Sequence, residues 1–139
     1  MTLVELGTYL ISQGIGTTLD VDVFLGKMPA TPDVAVALFE YGSLPAQPNL
    51  SGGGASPGTL IRYEFPRIQI LVRGVKDDYS GPWTVAKNAR KAMLAIQNQT
   101  LSGTYYISAL PENGPFFLRR DTNDRVEFAA NYQVEKAES

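Results

Sequence analysis

The side chains available for chemistry in this 139-residue chain are carboxylates, cations and hydroxyls, because histidine and cysteine are both absent. That excludes thiolate nucleophiles, disulfides, Cys/His zinc sites and histidine-based triads. It also removes the side chain best suited to proton transfer near neutral pH. Two acidic pairs stand at spacings that could hold a hard cation, Asp20 with Asp22 and Asp121 with Asp124. The run Asp121-Thr122-Asn123-Asp124 lacks the glycine and terminal glutamate of a calcium loop and reads instead as hairpin-turn chemistry. Gly52-Gly53-Gly54 lacks the Lys and Ser/Thr of a phosphate-binding loop, and no helix pattern opens after it. No pair of carboxylates stands out for glycoside chemistry. The expectation is no catalytic, cofactor-binding or metal-binding residue. A small carboxylate-based hydrolase or ligand-binding domain ranks last and would need a concave pocket with convergent polar groups.

The cations and aromatics carry weaker signals. Arg62, Arg67, Arg73 and Lys76 share one strand pattern, and Lys87, Arg90 and Lys91 follow on a helix pattern. They could form a basic patch near DNA, but Glu64, Asp77 and Asp78 interrupt the run and favour a solvated face paired with acidic neighbours. Net charge is −2, so there is no global basic field to hold nucleic acid. The charge is uneven: residues 1–58 hold Lys27 against five acids, while 59–139 hold eleven cations against nine acids. Such a chain could complement a neighbouring copy of itself, or present two solvated faces of one monomer. Phe116, Phe117, Tyr105 and Tyr106 read as core or hairpin packing. The arginines that directly follow the phenylalanines also fit an interface.

The elements that must position these groups follow from periodicity. Thr2 to Glu5 reads as a capping box opening a short amphipathic helix at about 2–13, with Leu3, Leu6 and Leu10 on its stripe. Alternation predicts a strand at about 21–27. Residues 34–41 are apolar on both alternating sets, the pattern of a strand buried on both faces. Residues 42–58 hold so many Gly, Pro and Ser that a flexible loop is expected. A long strand at about 59–75 follows, broken at Pro66, which lacks an amide donor and marks either an edge strand or a bulge. A second helix runs from the Asp77–Pro82 start to about Gln97, its stripe formed by Trp83, Ala86, Ala89, Met93 and Ile96. A strand at about 104–110, a turn at Pro111–Pro115 and a final strand with Val126, Phe128, Ala130, Tyr132 and Val134 on one face complete the chain. The sum is α+β in one domain over 1–139: a mixed, mainly antiparallel sheet of about five strands with two helices on one face. The N-terminus carries Glu5 without a basic region and reads as neither signal peptide nor membrane span.

Three stretches together resemble the tail-terminator or minor capsid family of long-tailed bacteriophages. The first runs from Phe24 to Gly42, with Met28-Pro29, then Pro32-Asp33, then an apolar strand ending in Glu40 and Gly42. The second is the apolar strand Ile68 to Val72 ending in Arg73-Gly74. The third runs from Pro115 through Asp121 and Asp124-Arg125 to Asn131-Tyr132-Gln133-Val134. The connection Asp77-Asp78-Tyr79-Ser80-Gly81-Pro82 departs from the charge-crowded segment common in that family. The resemblance implies a structural virion protein, made in the bacterial cytoplasm. It would form a homo-oligomeric, hexameric ring at the head-proximal end of the tail tube, terminating tube polymerisation and joining tail to head. The implied partners are its own copies, the major tail tube protein and a head-tail connector or stopper, with DNA passing through the lumen without specific binding and no membrane. A neck ring of the head-completion or stopper type is the alternative. The interface expectation rests on Leu44, Pro45 and Leu50 in the loop, Arg62 and Tyr63 beside it, and Phe116, Phe117, Arg119 and Arg120 at the closing hairpin.

Overall fold

The computed structural model describes residues 1–48 and 62–137. Its elements are α1 (Thr2–Ser12), β1 (Val23–Leu25), β2 (Ala35–Pro48), β3 (Arg62–Lys76), α2 (Ser80–Leu94), β4 (Gln97–Leu101), β5 (Thr104–Arg120) and β6 (Arg125–Ala137). The strands form one sheet in the order β1-β2-β3-β6-β5-β4. Only β1 and β2 run parallel; every other neighbouring pair is antiparallel. The expected α+β class holds, with six strands where about five were expected.

Alternation along β6 builds the core. Val126, Phe128, Ala130, Tyr132 and Val134 join Leu6 and Leu10 of α1 and Ala86, Ala89 and Met93 of α2 in the main apolar cluster. Both helices therefore cover the same face. The second cluster, on the opposite face, contains Phe24, Ala35, Ala37, Leu71 and Ala129 and no helix residue. β2 feeds both clusters, as its unbroken apolar run requires: Ala35, Val36, Ala37 and Leu38 are all buried.

α2 can lie close to the sheet because its inward face is alanine-rich and because Gly74 leaves room for Pro82. A Cβ at Gly74 would meet the Pro82 ring at 2.7 Å. Gly74→Ala is expected to cost about 1–3 kcal/mol through overpacking, read as a lowered midpoint in denaturant unfolding. An unchanged midpoint would show that α2 shifts freely.

Several local expectations give way to tertiary demands. Thr2 makes no side-chain cap. Glu5 turns inward instead, accepting from Thr104 Oγ1 at 2.6 Å and Tyr106 Oη at 2.7 Å. β1 is only three residues long. Residues 42–48, expected as the start of a loop, extend β2 and pair with β3, with register shifts between Tyr41 and Ser43 and between Leu44 and Gln47. The rest of that loop, 49–58, lies outside the described residues. β3 is not an edge strand: it sits between β2 and β6, and Pro66 stands opposite Ser43 at the first of those shifts. Bulging of β2 thus absorbs the missing donor. Finally, Pro111–Pro115 is no turn. β5 runs straight through it, with register shifts on both sides of Asn113.

Candidate functional site

The segments 24–42, 68–74 and 115–134, far apart in sequence, converge on the sheet face away from the helices. Register makes one row of Phe24, Ala37, Leu71, Ala129 and Phe116 across five strands. The 26–34 segment passes over this face, Met28 packs against the cluster, and two buried arginines pin the segment down. Arg73 donates from Nε to the Asp33 carbonyl at 2.9 Å and from Nη2 to the Pro32 carbonyl. Arg125 donates to the Ala30 carbonyl at 2.6 Å, to the Asp33 carboxylate at 3.0 Å and to Asp121 at 2.8 Å. Burial opposes the charge on Arg125, but its bonds to Asp121 and Asp33 outweigh this and raise its pKa.

Asp121 is the turn residue of the β5–β6 hairpin. Its Oδ1 accepts from the amides of Asn123 and Arg125, and its Oδ2 accepts from the Arg125 side chain. Burial disfavours its anion, yet these bonds hold the carboxyl below its usual range. Both oxygens are thus committed to the turn, as the spacing suggested. Asp22 is committed likewise, to Thr17 and Thr18. No cluster of three or more potential metal ligands occurs among the described residues.

The hairpin presents its outer strand as a partly open edge. β4 pairs with β5 only as far as Ser108, so 109–120 has no outer strand among the described residues. Pro111 and Pro115 lack amide donors there, and the ladder to β6 on the inner side shifts around Asn113 and between Phe117 and Arg119, which bends the strand. These features blunt the edge against strand addition. Gly114 belongs to the same device: its φ is +93°, and a Cβ there would meet the Ala129 carbonyl at 2.7 Å. What the edge offers is side chains. Leu110 is 57% exposed, Phe117 46% and Leu118 39%.

Phe116 and Phe117 leave the strand on opposite faces. Phe116 ends the back-face row, whereas Phe117 pairs with Phe128 beneath the helices. There Tyr79, Trp83 and Phe117 surround the buried Phe128 ring, with centroid distances of 4.9 Å for Tyr79, 5.3 Å for Trp83 and 6.2 Å for Phe117. All three outer rings keep substantial exposure, and Lys87 Nζ lies 5.5 Å from the Trp83 ring centroid. Arg119 binds Glu127 at 2.6 Å and Arg120 binds Asp77 at 3.0 Å.

The expected interface residues do not form one site. Arg62 and Tyr63 pair with Pro48 and Gln47 at one end of β3, and Tyr63 stands opposite Ala137 of β6. Phe116 to Arg120 face Ala129 to Val126 at the other end of β6, roughly 30 Å away at ~3.3 Å per residue. Leu44 pairs with Phe65 through the backbone, Pro45 falls in a register shift, and Leu50 lies outside the described residues. Sequence reasoning missed Tyr79 and placed Trp83 wholly on the inward stripe. The i, i+4 spacing of Tyr79 and Trp83, which sets both rings on one helix face, was the available signal.

The basic run does not form a patch. Arg73 is buried under the 26–34 segment, Arg67 pairs with Glu112 at 3.2 Å, and Arg90 reaches the Gly114 carbonyl at 3.5 Å. A cleft of about 190 Å³ lies beside Glu5, lined also by Tyr9, Thr100 and Ser102. Burial disfavours the Glu5 anion, but Thr104, Tyr106 and Lys136 outweigh it and lower its pKa. A carboxylate so stabilised, with both oxygens occupied, is poorly suited to act as a general base.

Glu5, Asp22 and Asp121 are thus held by buried hydrogen bonds and turns, while exposed rings and guanidinium groups gather near the open stretch of β5. The family model for "Bacteriophage tail terminator protein" matches residues 9–138. The chain belongs to that family and is a structural protein of the phage tail. No curated protein matches its sequence. Among solved structures, a chain from a "Virion of native gene transfer agent (GTA) particle" is similar at 16% identity and a TM-score of 0.48, over 93% of this chain and 84% of that one.

Proposed function

We propose that this protein forms a homo-oligomeric ring at the head-proximal end of the tail tube, ends tube growth and supplies the surface on which the head docks. The observation that carries this reading is the exposed Tyr79–Trp83–Phe117 cluster beside the blunted β5 edge, in a chain of the terminator family. Capping needs a ring whose one face matches the last tube ring and whose other face does not template another. Aromatic anchors with arginines at the rim suit tight protein contact. An edge broken by two prolines and repeated bulges suits contact without open-ended strand addition. The tube protein and a connector or stopper are the partners on the two faces, and genome DNA passes the lumen without being gripped.

Labelling the protein in intact particles, then separating tails from heads, tests the position. Label at one end of isolated tails is the expected result. Label confined to tailless heads would instead make it a neck ring of the stopper type.

A further inference from the structure

We infer that neighbouring copies meet head to tail, with the Phe117–Arg120 edge of β5 on one copy receiving the β1 edge of the next. The inference rests on the ring reading above and specifies which two surfaces close the ring.

The sheet order puts β1 and the open stretch of β5 on opposite sides of the molecule. The β1 side is net acidic, with Asp20, Asp22 and Asp33 against Lys27. The β5 edge presents Arg119 and Arg120. Two β1 sides together would set acids against acids, whereas a β1 side against the β5 edge sets acids against guanidinium groups. Partial pairing within the copy, Arg119 with Glu127 and Arg120 with Asp77, leaves both guanidinium groups well exposed. Apolar surface matches as well. Val21 is 58% and Val34 51% exposed beside β1, against Phe117 and Leu118 on β5.

The register sets the two surfaces at one height. Val23, Val36, Val72, Phe128 and Phe117 form one row across the sheet. Ala35, Arg73, Glu127 and Arg119 form the next row toward the hairpin, the level of the residues just before β1. A rotation axis along the strands would bring Val21 and Asp20 opposite Leu118 to Arg120 without sliding along them. Contacts between two different surfaces generate a ring where the rotation closes. β1 and β5 would run antiparallel, since β5 opposes β6 and β6 runs with β2 and β1. The prolines and bulges of β5 leave side chains, not a ladder, to carry the contact.

The absence of cysteine permits a direct test. Val21→Cys and Leu118→Cys are made separately, each checked for folding by circular dichroism, and assembled singly or mixed, both free and on tail tubes. A short bismaleimide is then added. Cross-linked dimers in the mixture, and none in either variant alone, are expected. Each copy carries a single cysteine, so a bridge cannot form within one copy. Dimers in a single-variant sample would show like surfaces meeting and overturn the inference. So would rings, sized by native mass spectrometry, that give no cross-link in the mixture; the ring reading would then survive alone. Protein that stays monomeric both free and on tubes would remove the ring reading, and the inference with it.

Discussion

Arg125→Ala is expected to destabilise the protein by roughly 3 kcal/mol, the low end for removing one partner of a buried ion pair. The low end applies because Asp33 is 60% exposed in its side chain and can return to water, whereas Asp121 at 15% cannot do so fully. The substitution removes three bonds at once, to the Ala30 carbonyl, Asp33 and Asp121. Arg73 would remain as the second pin on the 26–34 segment. Against a total stability of about 5–15 kcal/mol, the loss is large. Differential scanning calorimetry should show a midpoint lower by roughly 10 °C. Arg125→Lys should recover only part, since an ammonium cannot reproduce the planar fork. The acid side moves in a defined direction. Asp121 titrates below its ordinary value of 3.8, so its contribution is present above that pH and is lost as pH falls through the folded value. Removing Arg125 takes away part of the cause, and acid unfolding should begin at a higher pH than in the wild type. A variant with unchanged midpoint and acid limb would show that the arginine merely decorates the surface.

The second large effect is on assembly. Phe117→Ala should weaken ring formation by about 30-fold or more, as loss of a central aromatic anchor does (about 2 kcal/mol). The isolated protein should lose only about 1 kcal/mol, because the ring is half exposed and Phe128 stays covered by Tyr79 and Trp83. The split between the two readouts is the point. Analytical ultracentrifugation reports the first and chemical denaturation the second. Equal losses in both would make Phe117 a core residue that happens to be visible. Phe116→Ala, on the opposite face, serves as the comparison.

Much of the fold could be read from local pattern where packing follows that pattern. β6 alternates cleanly because one of its faces is buried under both helices, and β2 reads as buried on both faces because the 26–34 segment covers the side away from them. The reading failed where a distant partner overrode local chemistry. Glu5 spaced from Thr2 suggests a cap, but Tyr106 and Thr104 offer stronger hydroxyl donors across the core. Pro66 left an edge strand or a bulge open, and only the partner strand decides between them: β2 bulges beside it. Pro111 to Pro115 suggests a turn, but the strand continues because Gly114 can lie against the Ala129 carbonyl. The candidate surface was half visible. Phe117 and Arg120 were legible as apolar and cationic residues in a hairpin, whereas Tyr79 and Trp83 join them through Phe128 and through the Tyr79–Phe117 stack, long-range contacts that no local spacing reveals. The stretches that gave the family resemblance turn out to share one physical task. Pro32-Asp33, Arg73 and Asp121 to Arg125 lock a segment over the back of the sheet.

The claim that this protein ends tail growth is tested most directly by tail length. Particles produced without it, viewed by electron microscopy, should carry tubes that run past the normal length and lack heads, and adding the purified wild-type protein during assembly should restore one length. Tails of normal, uniform length joined to heads in its absence would contradict the account.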